Sequence, residues 1–307
     1  MGHHRNEPHG LPHWDYATGT PLNDSPTGSR RIAEKAPPSF PVQIVAFANQ
    51  KGGVGKTTSA INTSVVLASR GYRVLLLDMD PQGNATSSLG IDKQELDASI
   101  YDVLVEDASI GECRISDVRP GLDVLPTTST LAAAEIELVG VSDRERRLAR
   151  ACAPIRHEYD IALIDCPPSL GLLTINSLTA ASSVVVPIQC EFLALEGVSQ
   201  LIHTIDLTRR QLNPTLDLLG VLMTMFDART RLSAHVVDEV RRFFPERIFE
   251  TIVPRSVRLA EAPSYGQAIS EYDPVSRGGS AYASFANELV ARLGLKQPSG
   301  TDVNSSR

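Results

Sequence analysis

"VQIVAFANQKGGVGKTTSAIN", Val42 to Asn62, is the stretch from which the rest of the chain can be read. Its first seven residues are nearly all apolar, as in a parallel strand covered on both faces. From Lys56 onward, Ala60, Ile61, Ser64, Val65 and Ala68 fall on one helical face. Between strand and helix, Gly52, Gly53 and Gly55 let backbone amides approach phosphate oxygens, and Val54 completes the turn. Lys56 is placed to neutralise phosphate charge, and the helix N-terminus adds a favourable dipole. Thr57 suits a Mg2+ ligand and Thr58 a phosphate hydrogen bond. The usual G-x-x-x-x-G-K-[ST] pattern has glycine where Gln50 stands here, and the glycines sit behind a second lysine, Lys51. Spacing alone leaves Lys51 open between a solvated surface lysine and a second phosphate ligand.

Working outward, the same alternation continues. "RVLLLDM" (73–79), "LDVLP" (122–126), "DIALIDC" (160–166), "SVVVPI" (183–188), "LDLLGVLMTM" (216–225) and "RIFETIV" (247–253) read as strands. Helical patterns such as "LLTINSLTAA", "EGVSQLIHTIDLTRRQL" and "SAHVVDEVRRFF" separate most of them. The expectation is an α/β fold: a doubly wound, mostly parallel sheet with helices on both faces, of the P-loop NTPase kind, binding its ligand at the carboxyl ends of the strands. Two acidic clusters belong at that mouth. "DMDPQGNAT" ends the second strand, so alternation turns Asp78 and Asp80 to one side if the strand persists that far. "IALIDCPPS" is an apolar run ending in Asp165, whose carboxylate can hold Mg2+ through water.

Among the 307 residues, 42% are hydrophobic and 21% charged, enough for one large domain, expected over residues 41–295. Residues 1–40 and 296–307 are polar and Pro/Gly/Ser-rich, and are expected to be disordered tails; His3, His4 and His9 read as part of a solvated tail. The net charge of −7 does not mark a nucleic-acid binder, so any DNA contact has to come from a local patch. Four cysteines without C-x-x-C spacing suggest neither a disulfide framework nor a zinc site. No apolar run approaches the ~18 residues of a membrane span, and a secretory leader is not evident, so a soluble, cytoplasmic protein is expected.

"KGGVGKTT", "DMDPQGNAT" and "DCPPSLG" resemble the deviant Walker A, switch I and Walker B motifs of ParA-type partitioning ATPases, a group that includes MinD and the nitrogenase iron protein. The resemblance runs from about residue 43 to 293, and "PRSVRLAEAPSYG" (254–266) points to the short chromosomal, Soj-type branch. It implies an ATP-dependent switch that cycles between ATP and ADP with Mg2+. Lys51 is then the lysine that reaches the partner's nucleotide across an ATP-sandwich homodimer, with Gly52 at the dimer contact. Lys56 and Thr57 bind phosphate and metal, Asp80 positions the hydrolytic water, and Asp78 and Asp165 support the metal. The adenine falls between the regions of Met225 and Pro254. The family further implies nonspecific double-stranded DNA binding by the dimer, with Arg229 and Arg258 at the matching positions. Nucleoid association and slow hydrolysis stimulated by a ParB/Spo0J-type partner follow from the same likeness, and the N-terminal tail is a candidate for docking a polar scaffold protein.

Two rival readings compete with this one. A MinD-like cell-division-site ATPase needs a basic amphipathic C-terminal helix, which "LKQPSGTDVNSSR" does not offer, so no membrane insertion is expected. A small-molecule-activating P-loop enzyme calls for an added substrate domain or acceptor pocket.

Overall fold

A computed structural model describes residues 42–298, together with a backbone pairing of Trp14–Asp15 with Thr20–Pro21. The expected tails therefore fall almost wholly outside the described residues. The strands are β1 (Gln43–Phe47), β2 (Val74–Asp78), β3 (Ile115–Arg119), β4 (Leu122–Leu125), β5 (Ile161–Asp165), β6 (Ser183–Gln189), β7 (Asp217–Phe226) and β8 (Ile248–Pro254). They form one eight-stranded sheet in the order β8-β7-β6-β1-β5-β2-β4-β3. All neighbours pair parallel except β3 with β4.

Apolar character on both faces of the central strands is what buries them on both sides. Every residue of β2 and β5 is buried, and the side chains divide into two cores by alternation. On one side, Val45, Phe47, Leu76 and Leu163 pack under α1 (Lys56–Ser69) and a C-terminal helix that contributes Tyr282, Phe285 and Leu289. On the other, Ile44, Leu77 and Ile164 meet α3 (Leu172–Ala180), α4 (Val198–Gln211) and α5 (Arg231–Phe243). The C-terminal helix, here α7 (Arg277–Leu293), is absent from the sequence reading, although Tyr282, Phe285, Ala286 and Leu289 have the i, i+3, i+4, i+7 spacing that marks it. Its Phe285 ring meets Phe249 edge-on at 4.9 Å, tying the helix to β8. The antiparallel strand β3 was also not anticipated. Its sequence, ISDVR, lacks the apolar run of a central strand because it lies at the sheet edge.

The order of the strands fixes where a ligand can sit. From β1 the chain crosses to β2 on one side, and from β5 it crosses over β1 to β6 on the other. The carboxyl end of β1 is thus the crevice where the winding reverses.

Candidate active site

At that crevice Phe47, near the end of β1, stands in register with Asp165 on β5 and Val185 on β6. The chain then turns through the glycine loop into α1. Gly53 (φ 75°) and Gly55 (φ 89°) occupy the left-handed region, which a side chain would strain. Gly52 has no positive φ; like Gly53 it is exposed, and a Cβ built on either would meet nothing within 4 Å. A glycine there leaves room for something that approaches from outside the chain. The loop is anchored from β7, where the Thr224 hydroxyl donates to the Val54 carbonyl at 2.8 Å. Lys56 is buried, and its ammonium donates to the Lys51 carbonyl at 3.2 Å. Burial lowers its pKa, and the nearby charge of Asp165 opposes that most strongly. Thr57 and Thr58 are half-buried at the mouth.

Asp78 and Asp165 are register neighbours on β2 and β5, both fully buried. Their environments differ. Asp78 Oδ2 accepts from the Thr86 amide at 2.8 Å and the Thr86 hydroxyl at 2.7 Å, and Oδ1 accepts from the Asp80 amide at 3.3 Å. Neither oxygen of Asp165 has a hydrogen-bond partner, although Thr57 lies close enough to favour its charge. Burial first, and the Asp78 charge second, push the Asp165 pKa well above the usual carboxylate range. An orphaned buried carboxylate beside a threonine and the phosphate loop is a donor set that a hard, oxygen-seeking cation fits. Asp78, read from sequence as a second metal support, also holds the loop that follows it through these bonds.

Burial also raises the Asp78 pKa, to about 6, with the Thr86 hydrogen bonds opposing it. Asp78 and Asp165 face one another and both are shifted upward, so the pair holds protons that contribute stability fully present below pH ~4 and lost as pH rises through about 6 and beyond. Chemical denaturation of the nucleotide-free chain at pH 5, 6 and 7 is expected to show falling stability, and Asp78→Asn and Asp165→Asn are each expected to flatten that slope. An unchanged slope in both variants refutes the assignment to the pair.

Strand β2 stops at Asp78, so alternation does not carry on to Asp80. Instead the chain folds back: the Gln82 amide donates to Asp80 Oδ1 at 3.0 Å and the Gly83 amide to the Asp80 carbonyl at 2.8 Å. A tight turn, rather than strand register, brings Asp80 close enough to stabilise the Lys56 charge. The Lys51 ammonium pairs with Glu191 Oε1 at 2.5 Å at the half-exposed rim, and sequence reading carried no signal for Glu191.

Beside the loop lies a cavity of about 250 Å3 lined by Gly55, Thr58, Met225, Pro254, Leu259 and Tyr282. Met225 adopts φ 52° where β7 ends, a strained conformation for a side chain of that size. Met225 and Pro254 thus come together with the phosphate loop; Leu259 and Tyr282 were missed. A larger cavity of about 390 Å3 lies elsewhere, and its buried Arg147 is already bonded to the carbonyls of Leu104 and Val105 and to Asp107.

The two arginines singled out by sequence leave adjacent strands, since Phe226 of β7 pairs with Pro254 of β8. Arg229 is 86% exposed and chelates Asp227 with two nitrogens at 2.9 and 2.7 Å. Arg258 sits on α6 (Val257–Glu261) and pairs with Glu261 at 3.1 Å and Asp273 at 3.6 Å.

Residues 42–218 match the family model of an AAA domain. The chain is 53% identical over 249 residues to the sporulation initiation inhibitor protein Soj of Bacillus subtilis, covering 81% of this chain and 98% of Soj. It belongs to the ParA/Soj family of chromosome-partitioning ATPases. The ParA/Soj match extends to the chromosome partitioning protein ParA of Myxococcus xanthus, 51% identical over 256 residues, 83% of this chain and 90% of that one. Among solved structures, cobyrinic acid a,c-diamide synthase from Mycobacterium smegmatis with bound ADP and magnesium superposes with a TM-score of 0.73 at 39% identity, covering 85% of this chain and 99% of that one. The ParA/Soj fold and its P-loop thus account for the doubly wound sheet. No helix among the described residues is long and apolar enough to cross a membrane.

Proposed function

We propose that this ParA/Soj-family chain is an ATP-driven DNA-partitioning switch. Lys56 and the glycine amides bind the nucleotide phosphates, and the cavity of Met225 and Pro254 takes the adenine. Thr57 and Asp165 hold a Mg2+ ion, which supplies charge neutralisation at the phosphates when bound; Asp78 orients the adjoining turn. Asp80 positions the water that attacks the terminal phosphate. Lys51 serves the nucleotide of a second copy, so ATP joins two chains, and the dimer binds double-stranded DNA without sequence preference. A ParB-type partner accelerates an otherwise slow hydrolysis. The working domain is taken as residues 41–295, with tails on either side, the N-terminal one available to a polar scaffold.

One observation carries this reading above the others. The Lys51 ammonium lies half-exposed at the rim, paired with Glu191, next to a glycine with open space above it. A second reading, activation of a small molecule by the same loop, is favoured by the synthase name of the 39%-identical structure. Light scattering with ATP and Mg2+ separates them. Mass is expected to double, Lys51→Ala to bind ATP yet remain monomeric, and turnover to rise with DNA plus the cognate ParB-type protein. A monomer whose turnover ignores both DNA and partner supports the small-molecule reading instead.

A further inference from the structure

Arg258 is caged. Its guanidinium donates to Glu261 Oε2 at 3.1 Å, lies 3.6 Å from Asp273 Oδ2, and covers the Tyr272 ring at 5.9 Å. The Tyr272 hydroxyl donates to the same Glu261 oxygen at 3.3 Å, which holds that carboxylate in place. One guanidinium between two carboxylates presents a net negative spot, and a DNA backbone is repelled by it. The arginine side chain is nevertheless 56% exposed, so only its partners, and not burial, keep it from a phosphate.

The segment that builds this cage is fastened to the nucleotide site at three points. Leu259 and Ala260, on the same short helix as Arg258, line the base cavity with Gly55 and Thr58. The Ile269 amide donates to Asn62 Oδ1 at 2.7 Å, and Asn62 Nδ2 donates to the Thr58 carbonyl at 2.7 Å, so one side chain joins the segment to the phosphate loop's helix. Gly266 packs directly on Gly90: a Cβ on Gly266 would come within 3.0 Å of the Gly90 Cα. Gly90 lies just beyond α2 (Asn84–Ser88), the helix that follows the Asp80 turn and is gripped by Asp78 through Thr86.

We infer that residues 254–272 couple the nucleotide site to the DNA surface within a single chain, and that Glu261 is the mask on Arg258 which nucleotide binding releases. The inference rests on the DNA-binding reading above. A ligand shifts such an equilibrium only through contacts that differ between the two arrangements: a base in the cavity meets this segment at Leu259 and Ala260, and a phosphate at Thr58 reaches it through Asn62. Linkage then works in both directions: DNA that captures Arg258 tightens ATP binding by the same factor.

The test is DNA binding by Glu261→Gln, followed by fluorescence anisotropy on a nonspecific duplex across a salt series, with and without ATP and Mg2+. Without ATP the variant is expected to bind several-fold more tightly than wild type. Its log–log salt slope is expected to steepen by about 0.9 per chain, one added phosphate contact. With ATP the two proteins are expected to coincide, and Arg258→Ala in the variant background is expected to erase the gain. Tyr272→Phe, which frees the Glu261 carboxylate, should give a smaller gain in the same state. An equal gain with and without ATP makes Glu261 an ordinary surface charge and overturns the inference; so does no gain where wild type binds DNA with ATP. Wild type that ignores DNA even with ATP removes the DNA reading itself, and the mask with it.

Discussion

Lys56→Ala is expected to weaken ATP binding by about 10²–10⁴-fold, the cost of leaving a buried charge without its partner, about 3–5 kcal/mol. Lys56 is buried at the start of α1, donates to the Lys51 carbonyl, and lies close enough to Asp165 and Asp80 for their charges to stabilise its own. Burial costs its charge, so the free chain holds the ammonium in an environment that favours a further anion. Triphosphate supplies that anion, and alanine leaves it facing Asp165 and Asp80 without the cation. Calorimetry with ATP and Mg2+ measures the loss; a variant that keeps wild-type affinity disproves the placement of the phosphates. A melting curve without nucleotide guards against misfolding.

Asp80→Ala is expected to keep ATP binding within a few-fold while slowing turnover by about 10²–10⁴-fold, the usual worth of a positioned group that handles a proton or water. The separation of effects follows from geometry. Asp80 hangs on a turn made by the Gln82 and Gly83 amides, outside the glycine loop, so its loss removes no phosphate donor. A variant that still binds ATP but hydrolyses at the wild-type rate removes Asp80 from the chemistry. On the switch reading, the ATP-loaded variant is expected to persist as a dimer on light scattering; an ATP-loaded monomer contradicts it.

Much of this is legible in the sequence alone. Continuous short apolar runs such as "RVLLLDM", alternating with helical patterns, read as strands buried on both faces, and glycines at 53 and 55 occupy left-handed backbone that the loop requires. Local chemistry of this kind is written in adjacent residues. The edge strand β3 escaped because an edge does not need an apolar pattern, and α7 was passed over although its spacing was present.

By itself, then, the sequence determined the βαβ unit, the phosphate loop, the three aspartates and the family, because each depends on a few neighbouring residues whose backbone or charge has one use. Tertiary structure alone decided that Asp78 is spent on Thr86 while Asp165 is left open, that Glu191 holds Lys51 at the rim, and that Asp273 closes on Arg258 from outside its helix. Those distinctions arise between residues brought together from different strands and turns. Which carboxylate is free and which is engaged depends on how the chain packs, and no spacing in the sequence encodes it.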